Sequence, residues 1–124
     1  MAPALPRPRV YSYPTCSTCR KALSWLRERA IEVEVLDITR QPPSLAELAD
    51  ALDQLGRQRL FNTSGQSYRA LGSAVVKAMS DAEALAALAA DGKLIKRPFL
   101  RLSDGRTLTG FQLPEWQALL DPQP

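Results

Sequence analysis

The stretch that decides the fold is VYSYPTCSTCRKALSWL, residues 10–26. A short run of β-prone residues ends at Pro14, and an apolar repeat of Leu23, Leu26 and Ala30 then follows at the spacing of one helix face. Both cysteines of the chain lie at the junction between these two patterns. The sequence therefore predicts a strand that passes directly into a helix, with a CxxC pair at the turn.

The position of Cys16 favours its thiolate form. It falls at or just before the first helical residue, where unpaired backbone N–H groups and the positive end of the helix dipole stabilise negative charge. Arg20 and Lys21 add positive charge one turn later. Cys19 lies three residues on, so it shares the helix face and is within reach of the first sulfur. This pattern is typical of redox or nucleophilic thiol chemistry.

Other uses of the two cysteines fit the sequence less well. A structural disulfide between them would close a very short loop, and such a loop removes little entropy from the unfolded chain. A closed zinc site needs four ligands, whereas the chain has two cysteines and no histidine. Two buried, inert cysteines remain an alternative. The absence of histidine also excludes a Cys–His pair, so any activation must come from the helix terminus and fixed cations.

Length and composition indicate a single α/β domain over residues 9–120. The 124 residues carry a net charge of +3, with acidic residues spread among basic ones, so no basic face for direct nucleic-acid binding is expected. No apolar run approaches the ~20 residues of a membrane span. Residues 1–8 are predicted to form a mobile Pro-rich arm and residues 121–124 a tail. We expect a cytoplasmic monomer whose cysteines rest as thiols.

The remaining elements follow from their capping residues. A second strand is predicted over residues 31–38, parallel to the first in a right-handed βαβ unit. Ser44 and Ser80, each with a glutamate three residues later, begin helices as capping boxes. Shorter helical segments are expected around Tyr68 and over residues 73–79, before the second of these helices.

The C-terminal part predicts a hairpin and a last helix. Strands over residues 99–102 and 107–111 flank an Asp-Gly turn, and Pro114 begins a helix that runs to residue 120. A βαβ unit and a ββα unit that share one sheet indicate a thioredoxin-like α/β fold with a four-stranded mixed sheet. Residues 42–92 would then be a helical insertion. The large aromatic residues are interpreted as core: Trp25, Phe99, Phe111 and Trp116.

Four short segments together resemble the arsenate reductase (ArsC) family and its relatives, the Spx-type regulators and the YffB-like thiol proteins. These segments are CSTCRKA at 16–22, QPPS at 41–44, FNTSG at 61–65 and LIKRP at 94–98. The resemblance covers nearly the whole chain. It implies that Cys16 is the nucleophile and that Pro98 is a cis-proline opposite it.

The resemblance also implies an oxyanion site that is incomplete in this sequence. Arsenate reductases of this kind hold the oxyanion with three arginines, of which only Arg97 matches. Asn62 stands at the insertion-loop position, and Thr109 or Gly110 at the hairpin position. Each hydrogen bond between charged groups contributes roughly 1.5–3 kcal/mol, so arsenate affinity should fall. Another cation would have to substitute: Arg20, Arg59 or Lys96.

The expected function is therefore a thiol-dependent reductase that acts on a disulfide, a glutathione adduct or an arsenate-like oxyanion. Cys16 attacks, Cys19 resolves the adduct and Arg97 stabilises negative charge; no bound cofactor or metal is expected. Glutathione or a thioredoxin- or glutaredoxin-type protein would restore the thiols. Expected substrate-binding residues are Ser17, Thr18, Arg20, Asn62 and Pro98, although helix capping accounts for the first two equally well.

The alternative is an Spx-like regulator that binds RNA polymerase and responds to oxidation of the CxxC pair. It shares the CxxC and Arg-Pro landmarks with this chain. Regulators of that type carry a longer charged C-terminal extension, whereas only residues 121–124 follow the last predicted helix. This difference favours the enzyme.

Overall fold

The computed structural model describes residues 7–120, which form one four-stranded sheet with helices on both faces. Most of the predicted N-terminal arm and all of the predicted tail lie outside the described residues. The strands are β1 (Arg9–Ser12), β2 (Glu34–Asp37), β3 (Phe99–Arg101) and β4 (Thr107–Thr109). The helices are α1 (Ser17–Glu28), α2 (Leu45–Leu55), α3 (Gln66–Leu71), α4 (Ser73–Ala78), α5 (Asp81–Ala90) and α6 (Leu113–Leu120), with 3₁₀ turns at Arg57–Arg59 and Gly92–Leu94.

The sheet order is β2-β1-β3-β4. Strands β1 and β2 pair in parallel, with Val10 opposite Val35, whereas β3 runs antiparallel to both β1 and β4. The predicted mixed sheet is thus confirmed. Strand β2 is shorter than predicted and lies at an edge of the sheet, where the side chain of Val35 is 52% exposed.

Alternation along the central strands divides the core in two. Val10 and Leu100 are a registered pair that packs on one face with Trp116 and the inner side of α1. Tyr11 and Phe99, the next pair along, point to the opposite face and pack against the helices between β2 and β3. This follows from the two-residue period of a strand. Both faces of the sheet are therefore covered by helices.

The helical insertion consists of α2 to α5 and begins at the predicted caps. Ser44 and Glu47 form a capping box at the start of α2, and Ser80 and Glu83 form the same arrangement at the start of α5. In each case the serine hydroxyl accepts from a backbone N–H that has no partner within the helix. None of the helices in the described part of the chain has the length and apolar character needed to cross a membrane.

Helix α1 ends earlier than the apolar repeat predicts. The helix stops at Glu28, and Ala30 is exposed, with a left-handed φ of 54°. The N–H of Ala30 donates to the carbonyl of Arg27, and that of Ile31 to the carbonyl of Leu26. This pair of hydrogen bonds is a Schellman closure, in which glycine usually occupies the left-handed position. Ala30 therefore does not belong to the buried face of α1.

Candidate active site

Cys16 is the N-cap residue of α1. Its backbone is extended, with φ −83° and ψ 116°, and its sulfur accepts a hydrogen bond from the backbone N–H of Cys19 at 3.4 Å. The preceding turn is closed by a hydrogen bond from the Cys16 N–H to the carbonyl of Tyr13. The sulfur thus takes the capping role of a serine or aspartate oxygen and accepts from one of the free N–H groups of the first helical turn, that of Cys19.

These contacts favour the thiolate of Cys16. Partial burial of the sulfur opposes ionisation, but the hydrogen bonds from Cys19 and the hydrogen bonding and charge of Arg97 outweigh it and lower the pKa of Cys16. The cation at this site is therefore Arg97, from the distant segment before β3. The side chain of Arg20, which was expected to contribute, is exposed and donates to the carbonyl of Pro14 at 3.1 Å.

Cys19 lies behind the first thiol and is fully buried, with 0% of its surface exposed. Burial, followed by its role as hydrogen-bond donor to Cys16, raises the pKa of Cys19 to about 11. Both cysteines are free thiols. The pair is therefore divided into an accessible sulfur that ionises easily and a sheltered sulfur that keeps its proton.

Arg97 is held over the ring of Tyr13, with its guanidinium carbon 4.9 Å from the ring centroid. The peptide bond between Arg97 and Pro98 is cis, as expected from the resemblance. Among the described residues, the buried Nη1 of Arg97 has no hydrogen-bond partner. The guanidinium therefore keeps an unused donor next to the Cys16 site.

A cleft of about 510 Å³ lies in front of the first cysteine. One wall comes from the loop after Phe61, which a β-bridge to Ile95 holds beside the segment that carries Arg97. The other wall comes from the residues between β4 and α6. The lining residues are Cys16, Thr18, Asn62, Ser64, Gly65, Lys96, Arg97, Gly110, Phe111 and Gln112.

The floor of the cleft is braced at Gly110. Its N–H donates to the carbonyl of Pro98 at 2.9 Å, and its carbonyl accepts from the indole Nε1 of Trp116 at 3.0 Å. Trp116 is fully buried, so this hydrogen bond is shielded from water. The last helix thereby positions the segment that faces Cys16.

The structure brings together most of the predicted site residues. Thr18 and Asn62 line the cleft together with Cys16. Pro98 is buried and directly follows Arg97 in the sequence. Ser17 is exposed and, like Arg20, does not line the cleft. These two positions remain predictions without support from the geometry.

Of the three cations that could substitute for the missing arginines, only one faces the cleft. Arg59 is held by both oxygens of Glu115, at 2.7 and 2.8 Å, and by the carbonyl of Thr109. Arg20 binds Pro14, as described above. Lys96 lines the cleft beside Arg97.

Sequence reasoning missed several lining groups. Phe111 was interpreted as core alone, yet it is partly buried and also lines the cleft. The role of Tyr13 beneath Arg97 and the polar side chains of Ser64 and Gln112 were not anticipated. Tyr13 contacts Arg97, which is distant in the sequence, so no local pattern marks this contact. In residues 7–120, no group of three or more His, Cys, Asp or Glu side chains is arranged to hold a metal ion.

Comparison with known proteins places this chain in a family. The sequence model of the ArsC family matches residues 11–119. YusI, an uncharacterized protein of Bacillus subtilis, is 42% identical over 111 residues, covering 86% of this chain and 92% of YusI. An arsenate reductase of Neisseria meningitidis is 33% identical over 119 residues, covering 94% and 100% of the two chains. The regulatory protein MgsR of Bacillus subtilis is 33% identical over 92 residues, covering 73% and 72%.

A solved structure agrees with the sequence comparisons. A Streptococcus mutans protein described as a possible arsenate reductase superposes with a TM-score of 0.79 at 40% identity, covering 86% of this chain and 92% of that one. The mixed sheet with a CxxC turn between its first strand and helix is the thioredoxin-like fold. The match spans the first strand, the CxxC helix, the insertion and the terminal hairpin, so the chain belongs to the ArsC family.

Proposed function

We propose that this protein is a thiol-dependent reductase whose Cys16 thiolate attacks the sulfur of a disulfide or a glutathione adduct. The observation that carries the proposal is the asymmetry of the CxxC pair. The pKa of Cys16 is lowered at the mouth of a cleft, while the pKa of buried Cys19 is raised to about 11. A reductase needs this division, because the attacking thiol must be ionised, whereas the resolving thiol must stay protonated until the mixed disulfide has formed.

The reaction proceeds by two exchanges. The Cys16 thiolate forms a bond to one substrate sulfur, and the other substrate sulfur leaves as a thiolate that takes a proton from water. Cys19 then loses its proton and attacks the Cys16 sulfur, which releases the second substrate thiolate and leaves an intramolecular disulfide. The substrate gains two electrons, and the CxxC pair loses them. Glutathione or a thioredoxin- or glutaredoxin-type protein returns the two electrons, so no bound cofactor is required.

Arg97 supports the first exchange. Its charge stabilises the Cys16 thiolate before attack, and its unpaired Nη1 gives the guanidinium a donor for the negative charge that develops on the leaving sulfur. The cation–π contact with Tyr13 holds the guanidinium in place. Arg97 therefore acts on the reacting atoms, whereas Tyr13 acts through Arg97.

Arsenate is a weaker candidate substrate. In that reaction the Cys16 thiolate would bind arsenic(V) with loss of water, and Cys19 would then attack the Cys16 sulfur, which releases arsenic(III) and forms the same disulfide. Arg97 is the only arginine that lines the cleft among the described residues. An oxyanion would thus lack two bidentate partners that arginines provide. The similarity of this chain to the arsenate reductase of Neisseria meningitidis is the reason to test this reaction.

The test uses the reduced protein as its own electron donor. Fully reduced protein is mixed with glutathione disulfide, and the remaining thiols are counted by mass spectrometry after acid quench and alkylation. We expect rapid loss of both thiols in the native protein and no reaction in Cys16→Ser. Cys19→Ser should stop at a stable mixed disulfide that carries one glutathione. Full reaction by Cys16→Ser would disprove the mechanism.

A redox-controlled regulator is the second candidate function, and the similarity to MgsR favours it. The partner would be RNA polymerase in the cytoplasm, bound when the CxxC pair is oxidised. Capture of purified polymerase by the oxidised protein, and not by the reduced protein or by Cys16→Ser, would support this function. Equal failure to bind in both redox states would remove it.

A further inference from the structure

The charge balance of the cleft is uneven. Its lining includes two cations, Lys96 and Arg97, and no carboxylate. Arg97 interacts with the Cys16 sulfur, so the negative charge of a Cys16 thiolate balances the positive charge of Arg97. One ammonium group therefore remains without a counter-charge in the cleft. The other polar lining groups are neutral side chains that donate and accept hydrogen bonds.

The side chain of Lys96 is placed by the glycine opposite it. Gly110 has a φ of 70°, and a β-carbon at that position would lie 3.1 Å from Cε and 3.8 Å from Nζ of Lys96. Because Gly110 has no side chain, the space next to its Cα is available to the side chain of Lys96. The N–H of Lys96 also donates to the carbonyl of Leu60 at 2.8 Å, which fixes the start of the side chain.

No carboxylate of the described residues takes up this charge through an ion pair. Glu115 is close enough for Lys96 to lower its pKa, but both of its oxygens bind Arg59, whose hydrogen bond and charge lower that pKa more strongly. Among residues 7–120, no carboxylate oxygen lies within 4.0 Å of the Lys96 ammonium. The ammonium is therefore free to bind an anion that enters the cleft.

We propose that Lys96 binds a carboxylate of the substrate next to the sulfur that Cys16 attacks, and that it selects disulfides whose thiol carries such a group. This inference rests on the proposed reductase activity and adds a substrate class to it. A disulfide with a carboxylate pairs with the Lys96 ammonium and binds more tightly. A neutral disulfide enters the same cleft but leaves the ammonium without a counter-charge. Lys96 is thus a specificity-determining residue.

The test compares two disulfides of similar size that differ in charge, dithiodipropionate and bis(2-hydroxyethyl) disulfide. Second-order rate constants are measured for the reduced protein by quench and alkylation, so no external reductant is involved. Lys96→Met should lower the rate constant for the acidic disulfide about tenfold, which corresponds to loss of one hydrogen bond to a charged group. The rate constant for the neutral disulfide should stay within about twofold.

Two further variants separate charge from structure. Lys96→Arg should keep most of the preference for the acidic disulfide, because the charge is retained. Lys77→Met removes a lysine from the exposed surface of α4, outside the cleft, and should leave the preference unchanged. High salt should reduce the preference in the native protein and have little effect on it in Lys96→Met.

The outcomes are distinguishable. Equal losses for both disulfides in Lys96→Met, or an unchanged preference, would overturn the role of Lys96 and leave the reductase intact. Failure of the native protein to reduce either disulfide would instead overturn the proposed function. Arsenate is included as a competitor. If arsenate inhibits the native protein but not Lys96→Met, while the two disulfides react at equal rates, Lys96 binds an inorganic oxyanion. The proposal for organic carboxylates would then be wrong.

Discussion

The backbone N–H of Cys19 donates to the sulfur of Cys16 over 3.4 Å, so the proposed resolving residue also helps to stabilise the thiolate of the proposed nucleophile. This relationship arises because a CxxC pair at a helix start places the second cysteine at the third helical residue, whose N–H has no partner within the helix. Its thiol lies on the buried side of the turn. One short segment therefore provides a sulfur whose pKa is lowered beside a buried sulfur whose pKa is raised.

The first prediction concerns the selectivity of alkylation. With reduced native protein near neutral pH, iodoacetamide should modify Cys16 and leave Cys19 unmodified, since the pKa of Cys19 is raised to about 11 and its side chain is buried. Peptide mapping by mass spectrometry at short times measures this directly. After unfolding in denaturant the two residues should react at similar rates. Equal rates in the folded protein would contradict the assigned division of roles.

The second prediction concerns Arg97. Replacing it with methionine removes the charge and the hydrogen bond that lower the pKa of Cys16, so this pKa should rise. A rise of one unit lowers the thiolate fraction about tenfold at pH values below the pKa. The rate of alkylation near neutral pH should fall accordingly. Arg20→Met is the matched control, since Arg20 binds the Pro14 carbonyl, and its alkylation rate should equal that of the native protein.

The third prediction concerns alkaline stability. Tyr11 is 3% exposed, and its hydroxyl donates to the carboxylate of Glu47 at 3.1 Å. Burial and then the charge of Glu47 raise the pKa of Tyr11 to about 12, from 10.0. A raised pKa in the folded state contributes stability that is fully present below pH 10 and is lost as the pH rises toward 12.

The loss should be about 2 kcal/mol of unfolding free energy between these pH values, relative to Tyr11→Phe. Urea unfolding at a series of alkaline pH values measures it for both proteins. The comparison with Tyr11→Phe isolates the tyrosine, because ionisation of Cys19 weakens both proteins equally. If the two proteins lost stability in parallel from pH 10 to 12, the buried hydroxyl would not titrate as described.

The fourth prediction concerns Gly110. Alanine at this position must adopt the left-handed φ of 70°, and its β-carbon would press against Lys96. We expect about 1–2 kcal/mol lower stability, together with loss of the preference for acidic disulfides because the lysine is displaced. Gly105→Ala is the control: Gly105 has a φ of 94° in the hairpin turn and does not line the cleft.

That control should lose a similar amount of stability and keep the preference. Thermal or urea unfolding gives the stability, and the paired rate constants for the two disulfides give the preference. A Gly110→Ala protein that is destabilised but still selects acidic disulfides would show that the position of Lys96 does not depend on the space above this glycine.

Much of the fold was predictable because its signals are local. The capping boxes at Ser44 and Ser80, the Asp-Gly hairpin and the CxxC helix start each depend on residues within four positions of one another, and the structure confirms them. The predicted end of α1 was wrong by two residues, since the apolar repeat extends to Ala30 and the helix ends at Glu28. There the Schellman closure at Ala30 uses an alanine in a left-handed conformation, which the sequence does not mark with glycine.

The site was predictable only in part for the same physical reason. Cys16, Cys19 and their capping geometry belong to one turn of helix, so local rules suffice. Arg20 and Ser17 seemed equally suitable by sequence distance, yet the first side chain turns to the Pro14 carbonyl and the second remains exposed outside the cleft. Sequence proximity reports which residues are near, but it does not report the direction in which an exposed side chain points.

By itself, the sequence determined the order of the elements, the mixed sheet and the position of Cys16 at the start of α1, since helix capping and hydrophobic period act over a few residues. The resemblance already implied Arg97, and only the tertiary structure decided which of the other candidate cations, Arg20, Arg59 or Lys96, reaches the cleft. It places Arg97 at the sulfur, Lys96 over Gly110 and Arg59 against Glu115, contacts that span up to 81 residues and exist only once the sheet has formed. Charge near a site in space, rather than in sequence, sets its chemistry.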